Sequence, residues 1–209
     1  MADLDRDGDV DIIGAQYYEA EVAWWEHVGG ARTSWVKHAV DAAFGGAEAA
    51  IVADLDRDGD FDVVAVSAIL NDVVWWENVG GAGLVWTKHV VDSDYYDPRD
   101  AFVADLDGDG DLDIIAAAQL APEVTWWENT AGDGSVWAMH PIEGTVGGRA
   151  ESVWAADLDG DGDLDVVAAT DNSIGWWENA AGDASSWTRH SVATGVLGVV
   201  SVSAVDVDR

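Results

Sequence analysis

The sequence predicts an all-β chain folded as a β-propeller of four-stranded antiparallel blades, about four of them. Three observations carry this. A nine-residue acidic loop recurs along the chain with a period of about 51 residues, the range of propeller and solenoid repeats. Four short strand-like runs lie in each period, with no helical periodicity between them. A Trp-Trp pair recurs on one of those runs at Trp24-Trp25, Trp75-Trp76, Trp126-Trp127 and Trp176-Trp177. Neighbouring strand residues point to opposite faces, so each pair makes both faces of its strand apolar. A sheet stacked between two others can bury both; a sheet wet on one face cannot.

The second unit gives the order of elements. Its first run is Ala49 to Asp54, the acidic loop follows, and the second run is Phe61 to Val66. After a short polar turn come Val73 to Asn78, a glycine-rich turn from Gly80, and a fourth run from Trp86 to Val91. Small residues such as Ala116-Ala117-Ala118 and Ala168-Ala169 dominate the second run, as close sheet-to-sheet approach requires. Pro98, Pro122 and Pro141 stand near turns or strand starts, where a missing N–H is tolerated. The repeat units are 1–46, 47–98, 99–149 and 150–198, with a partial unit at 199–209. Residues 10–41 hold only the last three strands of a blade, and 199–207 only a first strand. If the ring closes on four blades, these leftovers pair. If the array is longer, they are cut ends.

The loop reads Asp-x-Asp-x-Asp-Gly-Asp-x-Asp. It comprises Asp3, Asp5, Asp7, Asp9 and Asp11; Asp54, Asp56, Asp58, Asp60 and Asp62; Asp105, Asp107, Asp109, Asp111 and Asp113; and Asp157, Asp159, Asp161, Asp163 and Asp165. A fifth start, Asp206-Val207-Asp208, runs into the last residue. Five carboxylates in nine residues repel one another unless a cation sits among them. Calcium accepts six to eight hard oxygen ligands in a flexible shell, whereas magnesium demands a tight octahedron and keeps its waters. The side chains at positions one, three, five and nine converge if the chain curls, and the position-seven carbonyl adds a ligand. Glycine at position six permits the curl. The first six positions match an EF-hand loop, but position twelve is Gly14, Ala65, Ala116 or Ala168 in place of its glutamate, and strand follows in place of helix. These observations predict about four Ca²⁺, one per complete loop, in strand-to-strand hairpins.

Composition narrows the partners. The 209 residues carry 41 acidic and 9 basic side chains, for a net charge of −32. Such a surface repels nucleic acid and anionic membranes. Nearly half the residues are hydrophobic and 13 are Trp, so the chain is globular. No cysteine is present, hence no disulfide framework and no thiol chemistry. No apolar run is long enough to span a bilayer, and no leader peptide is recognisable. Met1-Ala2-Asp3 enters directly at a loop, and both ends read as cuts through a longer array.

The acidic loops, the Asp-hydrophobic-hydrophobic-Ala runs after them and the Trp-Trp-Glu-Asn segments ending at Asn78, Asn129 and Asn179 resemble the FG-GAP and VCBS repeats. The first unit departs from them, with His27 in place of Asn, and Phe44 to Ala47 resembles the naming motif once. These repeats build the calcium-loop propellers of integrin α-subunit heads and of many secreted bacterial proteins. The resemblance implies an extracellular or cell-surface module for binding, adhesion or scaffolding, with a protein or carbohydrate ligand. It also implies that the acidic loops and the third-to-fourth-strand turns share one rim. The opposite rim then holds Tyr17, Tyr18, Tyr95, Tyr96, Arg99 and Arg149, which break the repeat and are the candidate ligand contacts.

The alternatives are a lectin-like carbohydrate binder and a polysaccharide lyase or hydrolase. The lyase needs a base and a cationic neutraliser, for which Tyr95, Tyr96 and Arg99 are the candidates. No nucleophile elbow, zinc signature or phosphate loop is present. His38, His89, His140 and His190 recur three residues after a Trp, on the outermost strand of four diverging blades. They cannot meet at one ion, so a repeated structural hydrogen bond is the expectation for them. Glu26, Glu77, Glu128 and Glu178 recur likewise and carry the same expectation.

Overall fold

A computed structural model describes residues 2–28, 34–120, 124–142 and 149–207. Pro122 and most of the turn at 28–34 fall outside them. Among the described residues the chain is all β, and no helix is long and apolar enough to cross a membrane.

Fifteen strands form four antiparallel sheets. The first sheet has three: β1 (Ile12–Gln16), β2 (Glu21–His27) and β3 (Trp35–Asp41). The second is β4 (Ala47–Ala53), β5 (Asp62–Ser67), β6 (Asp72–Asn78) and β7 (Trp86–Asp92). The third is β8 (Pro98–Ala104), β9 (Asp113–Ala118), β10 (Val124–Asn129) and β11 (Trp137–Pro141). The fourth is β12 (Ala150–Ala156), β13 (Asp165–Thr170), β14 (Ser173–Asn179) and β15 (Trp187–Thr194). Within each sheet the strands pair in chain order, which makes four successive blades of a β-propeller. The first strands line the inner edge, β4 against β8 and β8 against β12.

Burial follows this order. Every residue of β5, β9 and β13 is buried; each has a strand on either side, and β5 and β9 also have a blade against each face. The outermost strands β7, β11 and β15 are mostly exposed or half-buried. The core lies between blades. Trp75 joins Val64 and Val66 of blade two with Ile114, Ala116 and Trp127 of blade three. Trp126 joins Ile115 and Ala117 with Val166, Ala168 and Trp177 of blade four. The first Trp of each pair therefore faces the following blade and the second the preceding one. Trp25 and Trp176 are only half-buried; they face away from the neighbouring blades at the two ends of the array.

Residues 199–207 form no strand, against the expectation of a first strand there. A strand is defined by its ladder, and this segment has no second strand of its own to pair with. It lies beside β12, where the Val202 N–H donates to Ser152 Oγ at 3.2 Å. In the same way Ser152 Oγ and the Val153 N–H donate to Asp100 of β8 at 2.7 and 3.1 Å. β1 pairs only with β2 among the described strands.

Candidate metal centres

Each acidic loop leads into a second strand, in three blades as a hairpin from the first strand and in blade one from the single bridge of Ala2 with Asp11. Its position-nine aspartate opens or immediately precedes the second strand and is the most buried member: Asp11 7%, Asp62 1%, Asp113 1% and Asp165 1% exposed. That carboxylate ties the loop closed. Its Oδ2 accepts the N–H of position two, from Leu4, Leu55, Leu106 and Leu158, at 2.8, 2.9, 3.0 and 2.9 Å. Its Oδ1 accepts an N–H from the third strand, that of His27, Asn78, Asn129 and Asn179, at 2.9–3.0 Å.

The remaining aspartates shape the curl. Position three accepts the N–H of position five, as Asp107 does from Asp109 at 3.1 Å. Position five accepts that of position seven, as Asp109 does from Asp111 at 2.8 Å. Gly8, Gly59, Gly110 and Gly162 have φ of 96°, 90°, 97° and 104°, left-handed values that explain glycine at position six.

Carboxylate oxygens come together within 4.8 Å of one another in every loop. The groups are Asp3, Asp5 and Asp11; Asp54, Asp56 and Asp58; Asp105, Asp107 and Asp113; and Asp157, Asp159 and Asp165. Positions one and three recur in all four, with nine in three of them and five in one. The position-seven side chains stand outside these groups. Asp60 pairs with Arg6 and Asp111 with Arg57, so the arginine at position four of one loop reaches the next loop. Asp9 lies 3.7 Å from His27 Nδ1.

Burial pushes the carboxyls of Asp62 and Asp113 up to about 7, against the backbone N–H bonds that favour their ionised forms. Asp11 and Asp165 move the same way for the same reason, as do Asp5, Asp56 and Asp107. A cation at the convergence point would offset that cost. The donors are all carboxylate oxygens, which fits a hard divalent ion.

The third strand supplies what the sequence reading missed. Asn129 Nδ2 donates to Leu55 O of the preceding blade's loop at 3.2 Å and to Leu112 O at 3.4 Å, while its Oδ1 accepts the Gly134 N–H at 2.9 Å. Asn78 and Asn179 repeat this on Leu4 O and Leu106 O. Each blade thus clamps the loop before it. The signal was present, because Asn recurs at the end of each Trp-Trp-Glu-Asn segment, but its partners lie 73 or 74 residues away. Glu26 was also underread. It forms a possible metal group with Asp5 and Asp7.

The histidines are structural, as expected. Nε2 of His38, His89, His140 and His190 bonds to Glu26, Glu77, Glu128 and Glu178 at 2.7–3.2 Å. Each ring stacks on the first Trp of its blade, with centroids 4.3–4.6 Å apart.

The tyrosine and arginine candidates separate. Tyr95 is 2% exposed, sits edge-on to Trp127 and donates its hydroxyl to Ala116 O at 2.9 Å. It is a core plug and no rim contact, because the crossover folds back over β9. Arg99 pairs with Glu48 and Asp97. Tyr17, Tyr18 and Tyr96 remain exposed, at 37%, 96% and 53%, and Arg149 is exposed.

The chain is similar to several solved structures and to one family of repeats. A solved Agrocybe aegerita lectin, described as recognising non-reducing terminal N-acetylglucosamine, is 21% identical with a TM-score of 0.64, over 93% of this chain. The chain spans about half of that lectin, 51%. The Photorhabdus luminescens Tc holotoxin pore is 16% identical with a TM-score of 0.44, over 90% of this chain and 10% of its own. The V. cholerae biofilm matrix protein Bap1 is 17% identical with a TM-score of 0.42, over 84% and 36%. No curated protein sequence matches. The model of the FG-GAP-like repeat matches four overlapping stretches, 3–65, 54–116, 105–168 and 157–209. Each begins on an acidic loop, and the first three run through the next, so the chain belongs to the FG-GAP-like repeat family.

Proposed function

We propose that this chain is a calcium-held β-propeller module that binds carbohydrate outside the cell. The observation that carries the calcium half is the convergence of position-one and position-three carboxylates in all four loops, joined by the buried position-nine carboxylate in three. Calcium is favoured over magnesium because the loops offer many oxygens in a flexible hairpin. Binding then contributes directly to folding. Extracellular calcium modules have dissociation constants of about 10⁻⁴–10⁻³ M, so 10 mM Ca²⁺ stabilises by about 1.4–2.7 kcal/mol per site. A fold that depends on such sites suits the extracellular medium.

The carbohydrate half is supported by the shared fold with a lectin and by exposed aromatic residues on the rim opposite the loops, Tyr17, Tyr18 and Tyr96. The net charge of −32 favours neutral sugars over acidic ones. The lyase alternative loses support, since Tyr95 is in the core and Arg99 is paired with two carboxylates.

Two measurements test the reading. EDTA lowers the melting temperature and excess Ca²⁺ restores it; an unchanged melt removes the calcium half. A glycan array in millimolar Ca²⁺ shows binding to neutral glycans; a blank array removes the carbohydrate half.

A further inference from the structure

We infer that arginine arms couple the acidic loops in series, so that filling one loop favours filling the next, an inference that rests on the calcium reading above. With the loops numbered as their blades, the series runs from loop one to loop three and stops there.

The arms are Arg6 and Arg57, each at position four of its loop. Arg6 Nη2 donates to Gly59 O, and the same guanidinium pairs with Asp60. Arg57 pairs with Asp111. Each arm thus leaves its own blade and lands on the curl of the following loop. A Cβ on Gly59 would lie 3.3 Å from Arg6 Nη2, and one on Gly110 3.4 Å from Arg57 Nη2.

The backbone strains to keep these arms. Position four is left-handed in all four loops, with φ of 63° at Arg6, 63° at Arg57, 75° at Gly108 and 85° at Gly160. Glycine adopts that backbone freely, and a larger residue does so only with strain. Loops three and four take the unstrained residue. Loops one and two hold an arginine there, and what the arginine adds is its grip on the next loop. Gly108 leaves Asp163 of loop four without such an arm.

The grip acts on groups that decide how a loop meets a cation. Asp60 and Asp111 stand outside the converging carboxylates. The arm neutralises that surplus charge and fixes the backbone at position seven, whose carbonyl is the expected extra ligand. Paired with its aspartate, the guanidinium faces the ion as a neutral pair. A loop already ordered loses less freedom on binding. A filled loop in turn fixes its own position four and so places its arm. The coupling is reciprocal, as linkage between binding free energies requires. Both arginines are half-exposed, which limits the effect to roughly two- to fivefold in affinity.

The asparagine clamp also joins neighbouring loops, but it is present at all three junctions. The arm is present at two, and that difference separates the routes. The full ¹⁵N-labelled chain is titrated with CaCl₂, and the amides of Gly59, Gly110 and Gly162 report loops two, three and four. Asp56→Asn keeps an acceptor for the Asp58 N–H and empties loop two. It is expected to raise the midpoint at Gly110 by roughly two- to fivefold and to leave that at Gly162 unchanged. Arg57→Gly matches position four of loops three and four and relieves the strain, so it folds. It is expected to raise the Gly110 midpoint by the same factor and to abolish the effect of Asp56→Asn on it. Asp107→Asn is expected to leave the Gly162 midpoint unchanged in the parent and to raise it in a Gly108→Arg background. The added arm has room, since the nearest atom to a Cβ on Gly108 is Gly182 O at 3.5 Å. If Arg57→Gly leaves the Gly110 midpoint in place, or Asp56→Asn shifts it equally with and without Arg57, the arms carry no coupling and the inference is overturned while the calcium reading stands. If no glycine amide of the parent responds to CaCl₂, the calcium reading fails and the coupling with it.

Discussion

Replacing Asn129 with alanine tests whether each blade truly clamps the loop before it. The side chain makes three hydrogen bonds, to Leu55 O, Leu112 O and the Gly134 N–H. Asn129 is 0% exposed, so water does not readily replace them. A neutral hydrogen bond contributes about 0.5–1.5 kcal/mol net, and a buried group left unmade costs about 1–3 kcal/mol. Some relaxation of the loops offsets part of this, which places Asn129→Ala at about 3–5 kcal/mol of lost stability. Urea unfolding of the parent and the variant in excess Ca²⁺ measures it as a shift in midpoint at unchanged slope. Asn129→Asp is a sharper probe. It keeps an acceptor for Gly134 but deletes both donated bonds and sets a carboxylate beside Asp113, so its deficit widens when Ca²⁺ is removed. A loss below about 1 kcal/mol for Asn129→Ala would refute the clamp, because the Leu55 carbonyl would then need no partner from the next blade.

Other expectations follow from the same geometry. Tyr95→Phe deletes one buried bond to Ala116 O and lowers stability by about 1 kcal/mol in a urea melt, without changing glycan binding. Asp107→Asn removes one converging oxygen from the third loop and lowers calcium uptake by one site in a titration, leaving the other loops filled. The pH dependence has opposite signs with and without metal. With Asp62 and Asp113 pushed up to about 7, the metal-free fold holds protons that the unfolded chain releases near pH 4. Its stability therefore rises as pH falls from about 7 toward 4 and is lost again as pH climbs through 7. Calcium needs the ionised forms, so affinity drops below pH 7 by up to about tenfold per pH unit for each such carboxylate. Calorimetric titrations at pH 6 and 8 check it.

Much of the fold was legible because the repeat states it four times. The Trp-Trp pairs required two buried faces, and Trp75 with Trp76 pack against opposite neighbouring blades. The aspartates fixed the hairpins, and their alternation set which carboxylates converge. What escaped depended on contacts between units. Tyr95 breaks the repeat and was read as a rim residue, yet a crossover side chain long enough to reach back can fill the core beside Trp127. Asn129 looked like a strand end, because its function lies in a carbonyl of the previous blade. The segment 199–207 carries a first-strand pattern without the partner that would make it one.

The most direct measurement is the calcium stoichiometry of the metal-free chain, by equilibrium dialysis against CaCl₂ up to several millimolar with metal analysis of the protein. The account predicts about one Ca²⁺ per complete acidic loop, with uptake matched by a rise in melting temperature. An uptake near zero across that range, with a melt indifferent to the ion, would contradict it.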